Sequence, residues 1–184
     1  FYLAKHPLYI SMSFGVGEVT AMEMVTSYSV FANGGYLKKP YFIEKIIDSK
    51  GRKVTLSTQL MNAELPRIID PRNAFIMTDM LKEVINSGTA KRAKRLKRSD
   101  IAGKTGTTNN LIDAWFAGYN PDIVTVTWMG HPQPKPLGNK ETGSRAALPI
   151  WIDYMEPLLN EYPTRMLVEP DGILPLKVKK LDGT

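Results

Sequence analysis

Residues 101–129, IAGKTGTTNNLIDAWFAGYNPDIVTVTWM, contain three short strand candidates rich in β-branched, aromatic and small residues. The candidates span residues 101–107, 114–119 and 123–129. Polar residues 108–113 separate the first two, and the turn Asn120-Pro121-Asp122 separates the last two. Because strands joined by short connections usually pair with their neighbours in sequence, the stretch predicts a three-stranded antiparallel meander.

Amphipathic helices are predicted on both sides of the meander. Thr20 followed by Glu23 fits a capping box, and the apolar spacing after it continues to Asn33. Asp70 followed by Pro71 marks a second helix start, whose apolar stripe runs up to residues 87–88. A last helical pattern lies at residues 146–159 and ends before Pro163. Between the first two helices, residues 48–51 (DSKG) predict the turn of a hairpin.

The order of these elements predicts an α+β fold in which helices cover an antiparallel sheet. The alternating strand and helix rhythm of a Rossmann domain is absent. We expect residues 1–163 to form one unit, followed by a tail at residues 164–184 with a weak strand pattern. The chain starts at Phe1 rather than methionine, so we expect it to be a piece of a longer polypeptide.

Composition excludes several classes of protein. The chain has 184 residues, of which 43% are hydrophobic and 23% charged, too apolar for intrinsic disorder. No run approaches the roughly 20 apolar residues needed to span a bilayer, so no membrane segment is predicted in this chain. There is no cysteine, which excludes disulfides and thiolate metal sites. His6 and His131 lie far apart without clustered carboxylates, so no metal is predicted.

The net charge of +6 comes from one local run, KRAKRLKR at residues 91–98. Nucleic-acid domains usually spread basic residues over a face with interleaved aromatic residues, and this run has none, so nucleic acid is not a predicted partner. The preferred interpretation is a solvated helix end or loop. Attraction of anionic glycan peptides or an envelope surface is the alternative, and both stay open at this point.

The segment Gly103-Lys104-Thr105 imitates the end of a phosphate-binding loop, but that pattern requires a glycine at position 98, where the chain has arginine. Read as a strand, the same segment places Thr105 and Thr107 on one face and Lys104 on the other. Gly106 would let a ligand come close to the backbone. Such a strand can bind a carboxylate and donate a backbone N–H to a developing oxyanion.

The surroundings of Lys-Thr-Gly carry a family resemblance. GKTGTTNNLIDAWFAGY and VTVTWMG resemble the third motif and the next two strands of a penicillin-binding protein. The upstream AMEMVTSYSVFANGGYLKKPYFIEKI and the later ETGSRAALPIWIDYM are similar to the class A, bifunctional members. The resemblance covers roughly residues 14–155 and indicates those peptidoglycan synthases rather than the serine β-lactamases.

The resemblance implies part of the transpeptidase fold shared with serine β-lactamases. It implies a D,D-transpeptidase that crosslinks peptidoglycan stem peptides through a serine ester and is acylated by β-lactams, without metal or organic cofactor. By the family's motif, Lys104 supplies positive charge, and Thr105, Gly106 and Thr107 bind the terminal carboxylate. The Thr107 N–H supplies half of the oxyanion hole. The parent protein would also be a glycosyltransferase, anchored in the cytoplasmic membrane and facing outward in the bacterial envelope.

Two motifs of the family are missing from the sequence. No lysine has a serine three residues earlier, and no asparagine has a serine two residues earlier. We therefore expect the Ser-x-x-Lys and Ser-x-Asn motifs to come from the upstream part of the same domain, and this chain alone to be inactive. A non-catalytic binding module is the alternative, and an anion or nucleic-acid binder acting through residues 91–98 is a third hypothesis. Asp113 is expected to have a structural rather than a catalytic role.

Overall fold

A computed structural model describes residues 10, 15, 17–43, 45–54 and 65–176 of the chain. Within these residues, α-helices lie at α1 Ala21–Ala32, α2 Pro71–Asn86 and α3 Leu148–Asn160. The strands of the described part are β1 Ile46–Ile47, β2 Lys53–Val54, β3 Ala102–Thr107, β4 Ala114–Tyr119 and β5 Val124–Met129. A 3₁₀ helix at Lys91–Leu96 precedes β3, and a π-helical turn at Gly143–Ala147 precedes α3.

Strands β3, β4 and β5 form an antiparallel sheet in that order, which confirms the predicted meander. Strand β3 pairs with β4 over its whole length, from Ala102 opposite Tyr119 to Thr107 opposite Ala114. Because side chains alternate along each strand, the register sorts the residues of all three strands onto two faces. Strands β1 and β2 form the predicted hairpin, whose turn is held by the Asp48 carboxylate through the N–H groups of Lys50 and Arg52.

Helices cover both faces of the sheet, which confirms the α+β prediction. On one face, the Phe116 ring meets the buried Trp151 of α3 edge-on, with the ring centroids 5.0 Å apart. On the other face, Tyr119 packs in a cluster with Leu81 of α2 and Ala32 of α1. Burial of such apolar side chains is the main favourable term in folding. The sheet is therefore held between two helical layers.

Local sequence signals set the helix starts. Thr20 and Glu23 form the predicted capping box at α1, and the Asp70 carboxylate accepts a hydrogen bond from the Arg72 N–H at the start of α2. The last helix begins at Leu148, two residues later than predicted. The Leu148 N–H donates five residues back to the Gly143 carbonyl, and Pro149 has no N–H, so the α-helical pattern begins only here.

The basic run is only partly a solvated surface. Lys91, Arg92, Lys94 and Lys97 are exposed, as the preferred interpretation expected. For Arg98 that interpretation is wrong, since its side chain is 11% exposed and pairs with an Asp100 carboxylate that is fully buried. The chain turns inward here because Lys97 adopts a left-handed conformation, with φ of 53°, that ends the 3₁₀ helix.

The chain after α3 packs back against the start of β3. The guanidinium of Arg98 donates to the carbonyl oxygens of Tyr162 and Pro163 in this segment, and to that of Leu159 in the last turn of α3. The Arg165 N–H donates to Asp100, and its guanidinium pairs with Asp122. No strand forms over residues 164–176, and residues 177–184 lie outside the described part. Side-chain contacts, rather than sheet pairing, therefore hold this segment in place.

Candidate active site

The Lys-Thr-Gly segment lies on strand β3 at the edge of the sheet, where β3 pairs with β4 alone among the described strands. Thr105 stands opposite Phe116, whose side chain faces α3, and Thr107 lies two residues further on the same face. Lys104 stands opposite Ala117 and is directed to the other face. The prediction that both threonines share a face, away from Lys104, is confirmed.

The free backbone groups of β3 can be assigned from a close contact with Gly143. A Cβ atom on Gly143 would lie 2.5 Å from the Gly106 carbonyl oxygen and closer still to that of Trp115. Both oxygens therefore point into the space between β3 and β4, as they do only in a hydrogen-bonded pair. Because the direction alternates along a strand, the N–H and C=O groups of Thr105 and Thr107 point away from β4. No described residue accepts a hydrogen bond from the Thr107 N–H.

Three polar side chains line this edge. The exposed Lys104 ammonium donates to the Thr105 carbonyl oxygen at 2.7 Å. The Thr105 hydroxyl lies 2.8 Å from the Thr89 hydroxyl. The Thr107 hydroxyl oxygen accepts from the Gly143 N–H at 2.9 Å, so its own proton is available to another acceptor. An ammonium, hydroxyl protons and outward N–H groups along one edge form a site that suits a carboxylate or an oxyanion.

Gly106 leaves room for the side chain of Trp115. This is in addition to the close approach of a ligand to the backbone, which the sequence predicts. A Cβ atom on Gly106 would lie 3.2 Å from the Cβ of Trp115, the residue opposite it on β4. The indole of Trp115 therefore borders the edge strand on the Lys104 face. A ligand lying along β3 on this face would meet the indole.

Thr89 and Gly143 belong to this site and were missed from the sequence. Thr89 is 16 positions before Thr105, and Gly143 is 36 positions after Thr107. No local pattern connects residues at these separations, although Thr89 follows the Ser87-Gly88 helix stop that the sequence identifies. The structural hydrogen bond expected of Asp113 is present, because its carboxylate accepts from the Trp128 indole N–H at 2.9 Å.

The electrostatics at the start of β3 centre on the buried Asp100. Burial alone would raise the pKa of this carboxyl, but hydrogen bonds from the Arg98 guanidinium and the Arg165 N–H outweigh burial and hold the pKa below its usual 3.8. The Arg98 Nε and Nη2 atoms lie 2.9 and 2.7 Å from its two oxygens. Asp100 is thus an ionised structural anchor two residues before β3 begins.

The described residues contain no group of three histidine, aspartate or glutamate side chains placed to hold a metal ion. His6 lies outside the described part of the chain. Within the described residues, no helix combines the length and apolar character that a membrane crossing requires.

Comparison with known proteins places this geometry in a family. Residues 7–156 match the penicillin binding protein transpeptidase domain. Penicillin-binding protein 1A of Neisseria lactamica is 46% identical over 169 residues, covering 91% of this chain and 21% of that protein. Its counterpart from Pseudomonas aeruginosa is 39% identical over 223 residues, covering 96% and 27% respectively. The chain thus spans about a fifth to a quarter of the length of these curated relatives.

Solved structures agree with the sequence matches. Penicillin-binding protein 1A from Haemophilus influenzae superimposes with a TM-score of 0.85 at 32% identity, over 93% of this chain and 31% of that chain. The penicillin-binding protein PonA1 from Mycobacterium tuberculosis gives 0.73 at 20% identity, over 92% and 48%, and supports the fold alone. The predicted resemblance is confirmed, and this chain belongs to the penicillin-binding protein transpeptidase domain family.

Proposed function

We propose that this chain supplies the Lys-Thr-Gly edge of a D,D-transpeptidase that crosslinks peptidoglycan stem peptides through a serine ester. The same site would be acylated by β-lactams. The observation that carries the proposal is the outward backbone of Thr107, whose N–H lies on an unpaired strand edge beside Lys104 and two threonine hydroxyls. A preorganised N–H of this kind stabilises the charge that develops on a carbonyl oxygen during acyl transfer.

The proposed binding mode follows from the edge strand. An extended stem peptide aligns with β3 as an added strand, using the outward N–H and C=O groups of Thr105 and Thr107. Its terminal carboxylate accepts from the Lys104 ammonium and from the Thr107 hydroxyl, whose proton is available because its oxygen already accepts from Gly143. Gly106 leaves the backbone accessible between the two threonines.

The attacking serine has to come from elsewhere. The sequence contains neither Ser-x-x-Lys nor Ser-x-Asn, so we propose that the upstream part of the same domain provides both, and that this chain alone is inactive. Residues 1–163 would be the carboxyl-terminal portion of that domain, and residues 164–184 a tail. We further propose that the parent protein carries a glycosyltransferase and works on the outer side of the bacterial cytoplasmic membrane, to which it is anchored. The relatives' greater length is consistent with such additional parts.

Labelling with a fluorescent penicillin tests the proposal. This chain and a polypeptide that also contains the upstream part of the domain are incubated with the probe and resolved on a denaturing gel. We expect label only where the upstream part is present. Absence of label on the longer, folded polypeptide would contradict the transpeptidase function and favour the alternative, a non-catalytic binding module, which the missing serine motifs support.

Variants of the edge strand separate the roles of its groups in the longer polypeptide. Lys104→Ala should slow acylation, because the ligand carboxylate loses its charged partner. Thr107→Pro should slow it more than Thr107→Val does, since proline removes the N–H donor whereas valine removes only the hydroxyl. Equal damage from proline and valine would assign the whole effect to the side chain and refute the oxyanion role.

A further inference from the structure

Two tryptophans continue the candidate site across the sheet. Gly106 stands opposite Trp115, and Trp115 stands opposite Trp128, so the three residues form a row from the edge strand β3 to β5. The two indole rings lie 6.0 Å apart between centroids, tilted by 45°. They occupy the face of the sheet to which Lys104 is directed. Because Gly106 has no side chain, the position on β3 opposite the first indole holds no group between that indole and a ligand on the edge.

The Trp128 indole is fixed in place although it is exposed. Its six-membered ring lies against Gly130, where a Cβ atom would come within 2.7 Å of Cε2 and nearer still to Cζ2. Its N–H donates to the Asp113 carboxylate at 2.9 Å. Despite both contacts, Trp128 is 47% exposed within this chain. An indole packed on a glycine and held at its N–H presents a rigid aromatic surface at little further entropic cost on binding.

The groups around this surface suit a saccharide better than an apolar peptide. The carbons of a pyranose ring present C–H groups that pack on an aromatic face, while its hydroxyls need polar partners at the rim. Asp113 uses Oδ1 for the indole, and its Oδ2 has no hydrogen-bond partner among the described residues. That oxygen can accept hydrogen bonds from sugar hydroxyls. The exposed Asn109 and Asn110 lie in the loop that leads to Asp113 and carry both donors and acceptors.

We propose that Trp115 and Trp128, with Asp113 at their rim, bind the glycan to which a stem peptide is attached while that peptide lies along β3. The inference rests on the proposed function, and it assigns a saccharide-binding surface to the face next to Lys104. The row from Gly106 to Trp128 indicates the direction in which the glycan extends, since a ligand anchored at the edge strand can continue across the sheet onto the indoles. The surface makes the enzyme prefer glycan-linked peptides over free peptides of the same sequence.

The test compares two ligands on a polypeptide that contains the whole domain. A disaccharide–pentapeptide ending in D-Ala-D-Ala and the same pentapeptide without sugar compete against a fluorescent penicillin, and the concentration that halves the acylation rate is measured for each. In the unmodified protein the disaccharide form should compete more strongly. Trp128→Leu, which still covers Gly130 but has no ring, should reduce that advantage about three- to tenfold.

Three matched variants sharpen the test. Trp128→Phe keeps a ring without the N–H and should retain most of the advantage. Asp113→Asn keeps an oxygen for the indole but removes the carboxylate, so it should lower the advantage; this variant also serves if Trp128→Leu does not fold. Tyr154→Ala removes a side chain of α3 that is 57% exposed, and should leave the advantage unchanged. Acylation by penicillin alone should be equal in all four variants.

The outcomes distinguish this inference from the proposed function. An undiminished sugar advantage in Trp128→Leu and Asp113→Asn overturns the saccharide surface. A parallel loss of penicillin acylation also overturns it, because the indoles would then support the strand rather than bind sugar. If the unmodified protein is not acylated at all, the proposed function fails, and quenching of tryptophan fluorescence by the disaccharide without peptide still tests the surface. Quenching that is lost in Trp128→Leu supports it, and no quenching refutes it.

Discussion

Replacing Arg98 by alanine should destabilise the domain far more than replacing any exposed member of the same basic run. The change removes both donors that bind the Asp100 carboxylate at 2.9 and 2.7 Å. Asp100 is fully buried, and it keeps hydrogen bonds from the Arg165 N–H at 3.1 Å and from the Asn120 amide at 3.4 Å. Three carbonyl oxygens at the end of α3 and just after it lose their donor as well. Breaking a buried ion pair on one side costs about 3–5 kcal/mol.

Arg95 supplies the matched control, because it has the same side chain and lies three positions earlier. Its side chain is 50% exposed, and its partners Asp153 and Glu156 are 67% and 54% exposed. Exposed ion pairs of this kind contribute about 0–1 kcal/mol. Arg98→Lys is a second comparison, since one ammonium keeps the charge but cannot replace the guanidinium at five oxygens, and its cost should lie between the two.

Urea unfolding of a polypeptide that contains the whole domain measures these costs as shifts of the midpoint at constant slope. The expected order of destabilisation is Arg98→Ala, then Arg98→Lys, then Arg95→Ala. If Arg98→Ala and Arg95→Ala agree within about 1 kcal/mol, the Arg98 pair contributes no more than an exposed pair does. The whole run would then be a solvated surface, and the structural role given to Arg98 would be refuted.

Three further variants test separate parts of the fold. Because the pKa of Asp100 lies below 3.8, its stabilising contribution is complete above that value and is lost as the pH falls through the lowered pKa; Asp100→Asn should flatten the acid side of a plot of unfolding midpoint against pH. Gly143→Ala places a methyl group against the Gly106 and Trp115 carbonyl oxygens, so it should shift β3 and slow penicillin acylation, whereas Ser144→Ala next to it should have little effect on that rate. Thr20→Ala removes the hydroxyl that caps α1 and should cost about 1 kcal/mol in urea unfolding, which Thr20→Ser should largely restore.

Elements whose causes are local could be predicted from the sequence. The helix starts at Thr20 and Asp70 depend on side chains that bond to N–H groups two or three residues away. The three strands of the meander have short connections, so their order follows from chain continuity. The face on which Lys104 lies, opposite Thr105 and Thr107, follows from the two-residue period of a strand.

Features that depend on distant residues could not be predicted. Arg98 reads as one more member of a basic run, because the carbonyl oxygens that bury it lie 61 to 65 positions later. The contacts that Thr89 and Gly143 make with the edge strand could not be predicted for the same reason. The motif predicts Lys104 to Thr107 as site residues, but a motif contains no information about which groups hold its strand in position.

Both ends of the candidate strand are held by the segment that contains α3. At its start, Asp100 binds Arg98, whose guanidinium is fixed by carbonyl oxygens in the last turn of that helix and just after it. At its end, the Thr107 hydroxyl accepts from Gly143, just before the same helix. Because α3 is anchored in the core by the fully buried Trp151, these contacts hold β3 in position. They do not use the backbone groups of Thr105 and Thr107 that point away from β4. An oxyanion donor works only if it is in position before the charge develops. Loosening either end of α3 should therefore slow acylation without touching any group that contacts the ligand.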